Sequence, residues 1–192
     1  MTDPEVSAAG EILRTAGIPF VVVGGQAIAR SAATTTRDVD VMVATRDYGR
    51  AVAKLRGVAG LVFDWDDGKL CRFRILALGG VPLDLINSDA FAGTRTGGEF
   101  FDYLAREAST EVDGIAYGSP EAVWYTRLLT KRWRSYAEKI VTNVIDGVAA
   151  DRLSGVEEIG RRFGTEATLA ERIALVRTEL ARPEVAALIR RG

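Results

Sequence analysis

The stretch Val21-Val22-Val23-Gly24-Gly25 decides how this chain folds, together with Asp38-Val39-Asp40-Val41 twelve residues later. The first stretch is a β-branched apolar run typical of a buried strand, which the glycine pair ends. The second alternates acidic and apolar residues with the period of a strand, so the two aspartates are expected on one face. The order strand, glycine pair, short helix, strand predicts a small mixed sheet with helices packed against it.

The two aspartates are the first candidates for a metal site. Adjacent carboxylates repel each other, and aspartate is disfavoured in strands. A bound divalent cation would offset both costs, and oxygen ligands suit magnesium or manganese. Asp84 is the one charge in the apolar run Val81–Ile86 and is expected to reach the same site from a neighbouring strand. We therefore predict Asp38, Asp40 and Asp84 to be metal ligands and catalytic residues, because three carboxylates holding two metal ions suit phosphoryl transfer.

The glycine pair adds a second requirement of such chemistry. Without side chains, the amides of Gly24 and Gly25 at a helix start can approach phosphate oxygens closely. Each feature alone also fits a plainer explanation: the acidic pair as a solvated turn, the glycines as a turn, and Asp84 as a surface charge on an edge strand that Pro82 would permit. The combination, in this order, favours a metal site.

The composition excludes several other kinds of chemistry. The chain has 192 residues, of which 47% are hydrophobic and 27% charged, as expected of a globular protein with a core. It has no histidine, which removes Ser-His-Asp and Cys-His catalysis and most zinc sites. Its 25 basic and 26 acidic residues leave nucleic-acid binding to a local patch. With one cysteine, no signal peptide at the N-terminus and no membrane-spanning run, we expect a cytoplasmic protein without a membrane partner.

The chain divides by pattern into two parts. Helices are predicted at 5–16, 26–33 and 47–56, and strands at 19–23, 38–43, 60–65, 70–77, 81–86 and near 109–117. From Ser119-Pro120-Glu121 onward the pattern is helical, at 120–133, 135–149, 154–162, 166–180 and 183–190. We predict an α/β core over residues 1–118 and a helical C-terminal region over 119–192 packed on it.

A basic stripe is predicted on the helix that follows Glu121. Arg127, Lys131 and Arg134 are spaced i, i+4 and i+7, so one helix face would carry all three. Such a stripe would bind a triphosphate or a nucleic-acid backbone. A plain solvated helix face is an equally good explanation of the same spacing. We predict Arg127 and Lys131 to bind nucleotide, with Lys131 also acting in catalysis.

Two motifs resemble the polymerase-β-like nucleotidyltransferase superfamily: Gly24-Gly25-Gln26-Ala27, and Thr36-Arg37-Asp38-Val39-Asp40-Val41. The Gly-Gly-x-Ala form with Thr-x-Asp-x-Asp is similar to the AbiEii/MenT-type toxins of toxin–antitoxin systems. The resemblance covers about residues 10–150 and includes Ser119-Pro120-Glu121. It departs from that pattern in Lys139-Ile140-Val141-Thr142-Asn143, where the family has further aspartates.

The resemblance implies a polymerase-β-like fold with a helical C-terminal part, and an enzyme that uses Mg²⁺ or Mn²⁺ and a nucleoside triphosphate (NTP). By position, Asp38, Asp40 and Asp84 would bind metal, with Asp84 as the base toward the acceptor hydroxyl. Gly24, Gly25, Gln26 and Arg37 would bind nucleotide. The toxin resemblance further implies transfer of NMP to the 3′ end of tRNA, arrest of translation, and a cognate antitoxin protein as partner.

Two other functions remain open at this point. A small-molecule nucleotidyltransferase of the antibiotic-modifying type shares the glycine pair and the acidic motif. An acidic pocket would favour that alternative, whereas a basic groove beside the carboxylates would favour RNA. A non-catalytic binding module with the same fold is the third alternative, although three unneutralised carboxylates would destabilise it.

Overall fold

The computed structural model describes residues 3–31, 38–90 and 97–190. Its helices there are α1 (Pro4–Thr15), α2 (Gly24–Ala29), α3 (Thr45–Leu55), α4 (Gly97–Arg106), α5 (Pro120–Leu129), α6 (Trp133–Ile145), α7 (Leu153–Arg162), α8 (Glu166–Leu180) and α9 (Pro183–Ile189). Its strands are β1 (Val21–Val23), β2 (Val39–Val43), β3 (Leu61–Asp66), β4 (Leu70–Ile75), β5 (Val81–Asn87), β6 (Ser109–Val112) and β7 (Ile115–Gly118).

The strands form one mixed sheet in the order β3-β4-β5-β2-β1-β7-β6. Strand β2 runs parallel to β5 and antiparallel to β1, and β1 runs parallel to β7. The outer pairs β3–β4, β4–β5 and β6–β7 are antiparallel. The predicted mixed sheet with helices against it is confirmed, and the strands that carry Asp40 and Asp84 are its central neighbours.

Alternation along β2 assigns a separate core to each face of the sheet. Val39, Val41 and Val43 are fully buried in one hydrophobic cluster with residues of α1 and α3. Met42, on the opposite face, is buried in a second cluster with residues of α2 and of α4 to α8. Since Asp40 shares the parity of Met42, its side chain is on the face covered by the later helices.

The helical C-terminal region packs on that second face. Trp124 and Tyr125 of α5 are fully buried in the same cluster as Val21 and Val23 of β1. The predicted start of α5 is confirmed: Ser119 caps it, its Oγ accepting from Ala122 N at 3.3 Å, and proline occupies the first turn. The division of the chain into regions 1–118 and 119–192 stays a prediction.

The sequence analysis missed one helix and placed the ends of several others too late. Helix α4 was not predicted, because its start is glycine-rich and its buried Phe100, Phe101 and Leu104 include aromatics of modest helix propensity. The helix predicted at 120–133 is wrong at its end, since α5 stops at Leu129. Thr130 is extended, with ψ of 163°, and both its N–H and its Oγ1 donate to the Arg127 carbonyl, which closes the helix there.

Within residues 3–31, 38–90 and 97–190, no helix is both long and apolar enough to cross a bilayer.

Candidate active site

One row of side chains crosses four neighbouring strands on the face covered by α5 and α6. The strand registers place Arg72 opposite Asp84, Asp84 beside Asp40, and Asp40 opposite Val23. Because paired positions of neighbouring strands share a face, all four side chains point to the same side of the sheet. Sheet pairing therefore places the second and third predicted carboxylates side by side.

This row is the floor of a cleft of about 830 Å³. We call the strand wall the part of the lining that comes from the sheet, α2 and the β3–β4 turn, and the helical wall the part that comes from α5, α6 and the turn between them. Among the described residues, the charged side chains of the lining are Asp38, Asp40, Asp67, Asp84 and Arg72 on the strand wall, and Arg127, Arg132 and Lys139 on the helical wall. The acids and most of the bases thus face each other across the cleft.

Glycine at position 24 is explained by the carboxylate of Asp40. Gly24 has φ of +67°, and a Cβ placed on it would be 1.9 Å from Asp40 Oδ2. Only glycine tolerates both that backbone conformation and that approach. The backbone amide of Gly25 also acts on this carboxylate and lowers the pKa of Asp40. Gly24 therefore leaves the room that the Asp40 carboxylate occupies, which the sequence analysis did not anticipate, while the predicted contact of the glycine pair with phosphate stays a prediction.

Asp40 is poorly neutralised where it lies. Burial and the nearby Asp84 carboxylate, with a smaller effect of Asp38, raise the pKa of Asp40 to about 6. Arg127 across the cleft and the Gly25 amide oppose this rise without cancelling it. A carboxylate with this environment attracts a cation.

Asp84 has a different partner. It is 5% exposed, and Arg72 holds both of its oxygens, with Nε to Oδ1 at 2.7 Å and Nη2 to Oδ2 at 2.6 Å. This is a bidentate, charge-assisted pair of the kind that a guanidinium makes with a carboxylate. The two neighbouring carboxylates of the floor are therefore unequal: Arg72 forms an ion pair with Asp84, whereas none of the described basic residues forms one with Asp40.

The helical wall is organised around Arg127. Burial lowers the pKa of its guanidinium, and the Asp40 charge acts in the opposite direction. Its Nη1 donates to Asn143 Oδ1 at 3.4 Å, and its guanidinium lies 5.6 Å from the Tyr136 ring centroid. Asn143 is itself fixed by the Trp124 indole N–H at 3.3 Å. Lys139 lies over the same Tyr136 ring, 5.4 Å from its centroid.

The structure brings most of the predicted site residues together. Asp38, Asp40, Asp84, Gly24, Gly25 and Arg127 all line the cleft. Gln26 is buried within α2, and it is not among the described residues of the lining. Arg37 lies outside the described residues.

The predicted basic stripe is not formed. Because α5 ends at Leu129, Lys131 lies exposed in the turn before α6, and Arg134 belongs to α6, where it lies 4.8 Å from the Trp133 ring centroid. Of the three stripe residues, Arg127 alone lines the described part of the cleft. Its cationic neighbours there are Arg132 and Lys139, which the sequence analysis did not assign.

Arg72 was also missed, and the reason is a register shift. A tight turn at Gly79-Gly80 would pair Asp84 with a residue nearer the turn. A 3₁₀ turn at Leu76–Leu78 lengthens the connection instead, so that Ile75 pairs with Val81 and Arg72 with Asp84. The alternation of charged and apolar residues in β4 was the available signal, but it leaves Arg72 and Arg74 equivalent.

The residues present suit a divalent cation in their chemistry. The donors are all carboxylates, which are the ligands that hard cations prefer. Asp40 also lies near two other negative charges, those of Asp84 and Asp38. Across the described residues, however, no three acidic or other metal-binding side chains stand together as a preassembled cluster. Asp38 and Asp40 are the carboxylates that would hold the ion first, and Asp84 would join them only by loosening its pair with Arg72.

Comparisons with known proteins support the fold. No protein-family profile and no curated protein sequence matches the chain. Among solved structures, an antigenic nucleotidyltransferase-like protein from Paracoccidioides brasiliensis matches with a TM-score of 0.54 and 16% identity, over 96% of this chain and 90% of that one. ANT(2")-Ia in complex with adenylyl-2"-tobramycin matches over 93% of this chain and 100% of that one at 17% identity, but its TM-score of 0.46 supports no argument.

The likeness establishes the class of fold. The chain has the mixed α/β fold of a nucleotidyltransferase-like protein with a helical C-terminal part, as the sequence predicted. The narrower resemblance to AbiEii/MenT-type toxins stays a prediction.

Proposed function

We propose that this protein is a nucleotidyltransferase that moves an NMP group from an NTP to a hydroxyl acceptor and releases pyrophosphate. The observation that supports the proposal best is the in-register pair Asp40–Asp84 on parallel strands, on the floor of a cleft whose other wall carries Arg127. Carboxylates on one wall and cations on the opposite wall match the two needs of the reaction, which are activation of a hydroxyl and binding of a triphosphate.

The proposed reaction is an in-line displacement at the α-phosphorus. The acceptor oxygen forms a bond to that phosphorus, the bond to the bridging oxygen of the leaving pyrophosphate breaks, and the hydroxyl proton passes to a carboxylate of the floor. We assign that proton to Asp84. Mg²⁺ or Mn²⁺ bound by Asp38 and Asp40 would polarise the phosphate oxygens and stabilise the leaving group.

The helical wall would bind the triphosphate. Arg127 is held by Asn143 and Tyr136, so its guanidinium keeps one position facing the floor. Arg132 and Lys139 line the same wall at more exposed positions. We assign charge recognition at the deep end of the cleft to Arg127 and at its rim to the other two.

For the acceptor, we propose the 3′ hydroxyl of tRNA. The toxin resemblance implies this acceptor, and the helical wall supplies a basic surface beside the carboxylates, which is the condition that favours RNA over a cationic small molecule. A cognate antitoxin protein as partner rests on the resemblance alone.

A cationic small molecule is the second candidate acceptor. It is favoured by one part of the strand wall, where Trp65, with 42% of its surface exposed, lines the cleft together with Asp67. An aromatic face beside a carboxylate is a surface that binds organic cations.

A transfer assay tests the proposal. The purified protein is incubated with Mg²⁺, each α-³²P-labelled NTP in turn, and either total tRNA or a panel of aminoglycosides. We expect label in tRNA from at least one NTP, and none when EDTA replaces Mg²⁺. Label in an aminoglycoside instead would overturn the tRNA assignment and leave the enzyme class standing.

Matched variants separate the site from the remainder of the protein. Asp40→Asn should abolish transfer, whereas Asp151→Asn, an exposed acid away from the cleft, should leave it unchanged. If Asp40→Asn transfers label as well as the unmodified protein, the proposed site is wrong. If no NTP is used with any acceptor and no divalent cation binds, the protein is a binding module with this fold.

A further inference from the structure

Arg72 is the strongest feature of the cleft that the proposed reaction leaves unexplained. It sits directly opposite Asp84 in the antiparallel β4–β5 pair, and its guanidinium makes both of the short contacts to that carboxylate. Arg72 belongs to the strand wall, so it is not part of the cationic surface on the helical wall that we assign to the triphosphate. Its role must be sought in its effect on Asp84.

The two side chains of the Arg72–Asp84 pair differ in their freedom to move, because Asp84 is buried and Arg72 is partly exposed. The Asp84 side chain is 7% exposed on the sheet floor, whereas the Arg72 side chain is 31% exposed and faces the cleft. Rotation of the arginine side chain away from the carboxylate requires no change in strand pairing, because the backbone hydrogen bonds of β4 and β5 do not depend on it. Loss of the pair would leave Asp84 buried and without its counter-charge unless another cation replaced it.

A divalent cation at Asp40 is the natural replacement. The two nitrogens of Arg72 cover the open edge of the Asp84 carboxylate, which is the edge that a bidentate ligand would use. A metal ion bound at Asp40 and the Arg72 guanidinium would also repel each other, because both are positively charged. Binding of Asp84 to a metal and binding of Asp84 to Arg72 are therefore in competition for one carboxylate.

We propose that Arg72 is a displaceable counter-ion that holds Asp84 until a divalent cation takes it over, and that it thereby sets the metal affinity of the site. Arg72 is in this view a positioning residue, acting through Asp84. The proposal rests on the proposed function, because it assumes that the carboxylates of the cleft bind metal.

A Mn²⁺ titration, in which electron paramagnetic resonance measures the concentration of the free ion, tests the proposal without any turnover. Arg72→Gln should tighten Mn²⁺ binding by about tenfold, because the competitor for Asp84 is gone. Arg132→Gln removes one positive charge from the same cleft without touching a floor carboxylate, and should tighten binding by no more than about threefold. Asp84→Asn supplies the second control: in that background Arg72→Gln should give no more than the Arg132→Gln effect.

A structural role for Arg72 predicts a different outcome. If Arg72 only stabilises the fold, Arg72→Gln lowers the melting temperature and either weakens Mn²⁺ binding or leaves it unchanged, and the proposal is overturned. Arg72→Lys keeps the positive charge but cannot contact both Asp84 oxygens with a planar guanidinium. We therefore expect it to bind Mn²⁺ with an affinity between those of Arg72→Gln and the unmodified protein. Equal affinities for Arg72→Gln and Arg132→Gln would also overturn it.

The same titration separates this proposal from the proposed function. If the unmodified protein and every variant fail to bind Mn²⁺, the metal site itself is absent and the proposed function fails first. If the unmodified protein binds Mn²⁺, Asp40→Asn does not, and Arg72→Gln gains nothing, the site stands and only the counter-ion role of Arg72 is lost.

Discussion

The two walls of the cleft are built in different ways. On the strand wall, the positions of Asp40, Asp84 and Arg72 follow from hydrogen-bonded strand registers, which fix each side chain to one face and one row. On the helical wall, Arg127 owes its place to side-chain contacts with Asn143 and Tyr136 across the α5–α6 pair. Backbone pairing thus fixes the carboxylates, whereas packing fixes the main cation.

This difference predicts different responses to mutation. A change to Asp40 or Asp84 removes a carboxylate that its strand holds at one position beside the other, so chemistry should be lost in an all-or-none manner. A change on the helical wall removes one cation from a surface that retains others, so binding should weaken in steps. The following predictions are ordered by the size of the effect that would break or sharpen this contrast.

The largest effect is expected for Asp40→Asn. The substitution keeps the shape of the side chain and removes the charge that would hold the metal, so transfer should fall by about a thousandfold or more. The measurement is the rate of label transfer at saturating NTP. A fall of less than tenfold would mean that the carboxylates of the strand wall do not catalyse the transfer.

Gly24→Ala should damage the fold next to the site. A methyl group at position 24 would collide with the Asp40 carboxylate and would sit on a backbone with φ of +67°. We expect a loss of about 2–4 kcal/mol in the free energy of unfolding, measured by urea denaturation. Gly164→Ala has almost the same φ, of +65°, but no atom within 4 Å of the new Cβ, so the difference between the two variants isolates the collision.

On the helical wall, Arg127→Met should raise the KM for NTP by about 30- to 100-fold with a smaller change in kcat. Lys131→Met, two residues beyond the end of α5 in an exposed turn, should change neither KM nor kcat by more than about twofold. The two variants together show whether Lys131 binds nucleotide, as the predicted basic stripe requires, or whether Arg127 binds it without Lys131, as the observed helical wall implies. Equal losses for the two variants would support the predicted stripe.

The pKa of Asp40 gives a smaller, pH-dependent effect. Its folded value of about 6 lies above the ordinary 3.8, so the folded state retains the proton more strongly than the unfolded state does. The contribution of Asp40 to stability is therefore present at low pH and is lost as the pH rises from about 4 to above 6. Without added metal, the free energy of unfolding of Asp40→Asn relative to that of the unmodified protein should therefore be about 1–3 kcal/mol higher at pH 7.5 than at pH 4.5.

Urea denaturation of both proteins at those two pH values, in EDTA, measures this gain, because other titrating groups cancel in the difference. A difference in unfolding free energy that is the same at both pH values would show that Asp40 is not destabilised by its surroundings.

The strand wall was largely predictable from the sequence, and the helical wall was not. The apolar run, the glycine pair and the alternating aspartates each carry a local signal of strand or turn, and sheet pairing then brings the carboxylates together. What the sequence could not supply on this wall was the register of β4, because the 3₁₀ turn at Leu76–Leu78 shifts it and selects Arg72 as the partner of Asp84.

The helical wall depended on where a helix ends. The spacing of Arg127, Lys131 and Arg134 is helical, but Thr130 closes α5 through its own hydrogen bonds to the Arg127 carbonyl. A threonine is tolerated inside many helices, so its effect here is decided by packing, including the bond that Arg172 donates to the Leu128 carbonyl. The cations of the wall therefore had to be found in the structure.

The central claim is that the cleft between the two walls binds a nucleotide together with a divalent cation. Isothermal titration calorimetry with each of the four α,β-methylene nucleoside triphosphates, in Mg²⁺ and in EDTA, tests it most directly. We predict that at least one analogue binds with one molecule per chain in Mg²⁺, and that EDTA or Asp40→Asn abolishes this binding while Asp151→Asn does not. Binding that survives both EDTA and Asp40→Asn, or no binding of any analogue, would contradict the claim.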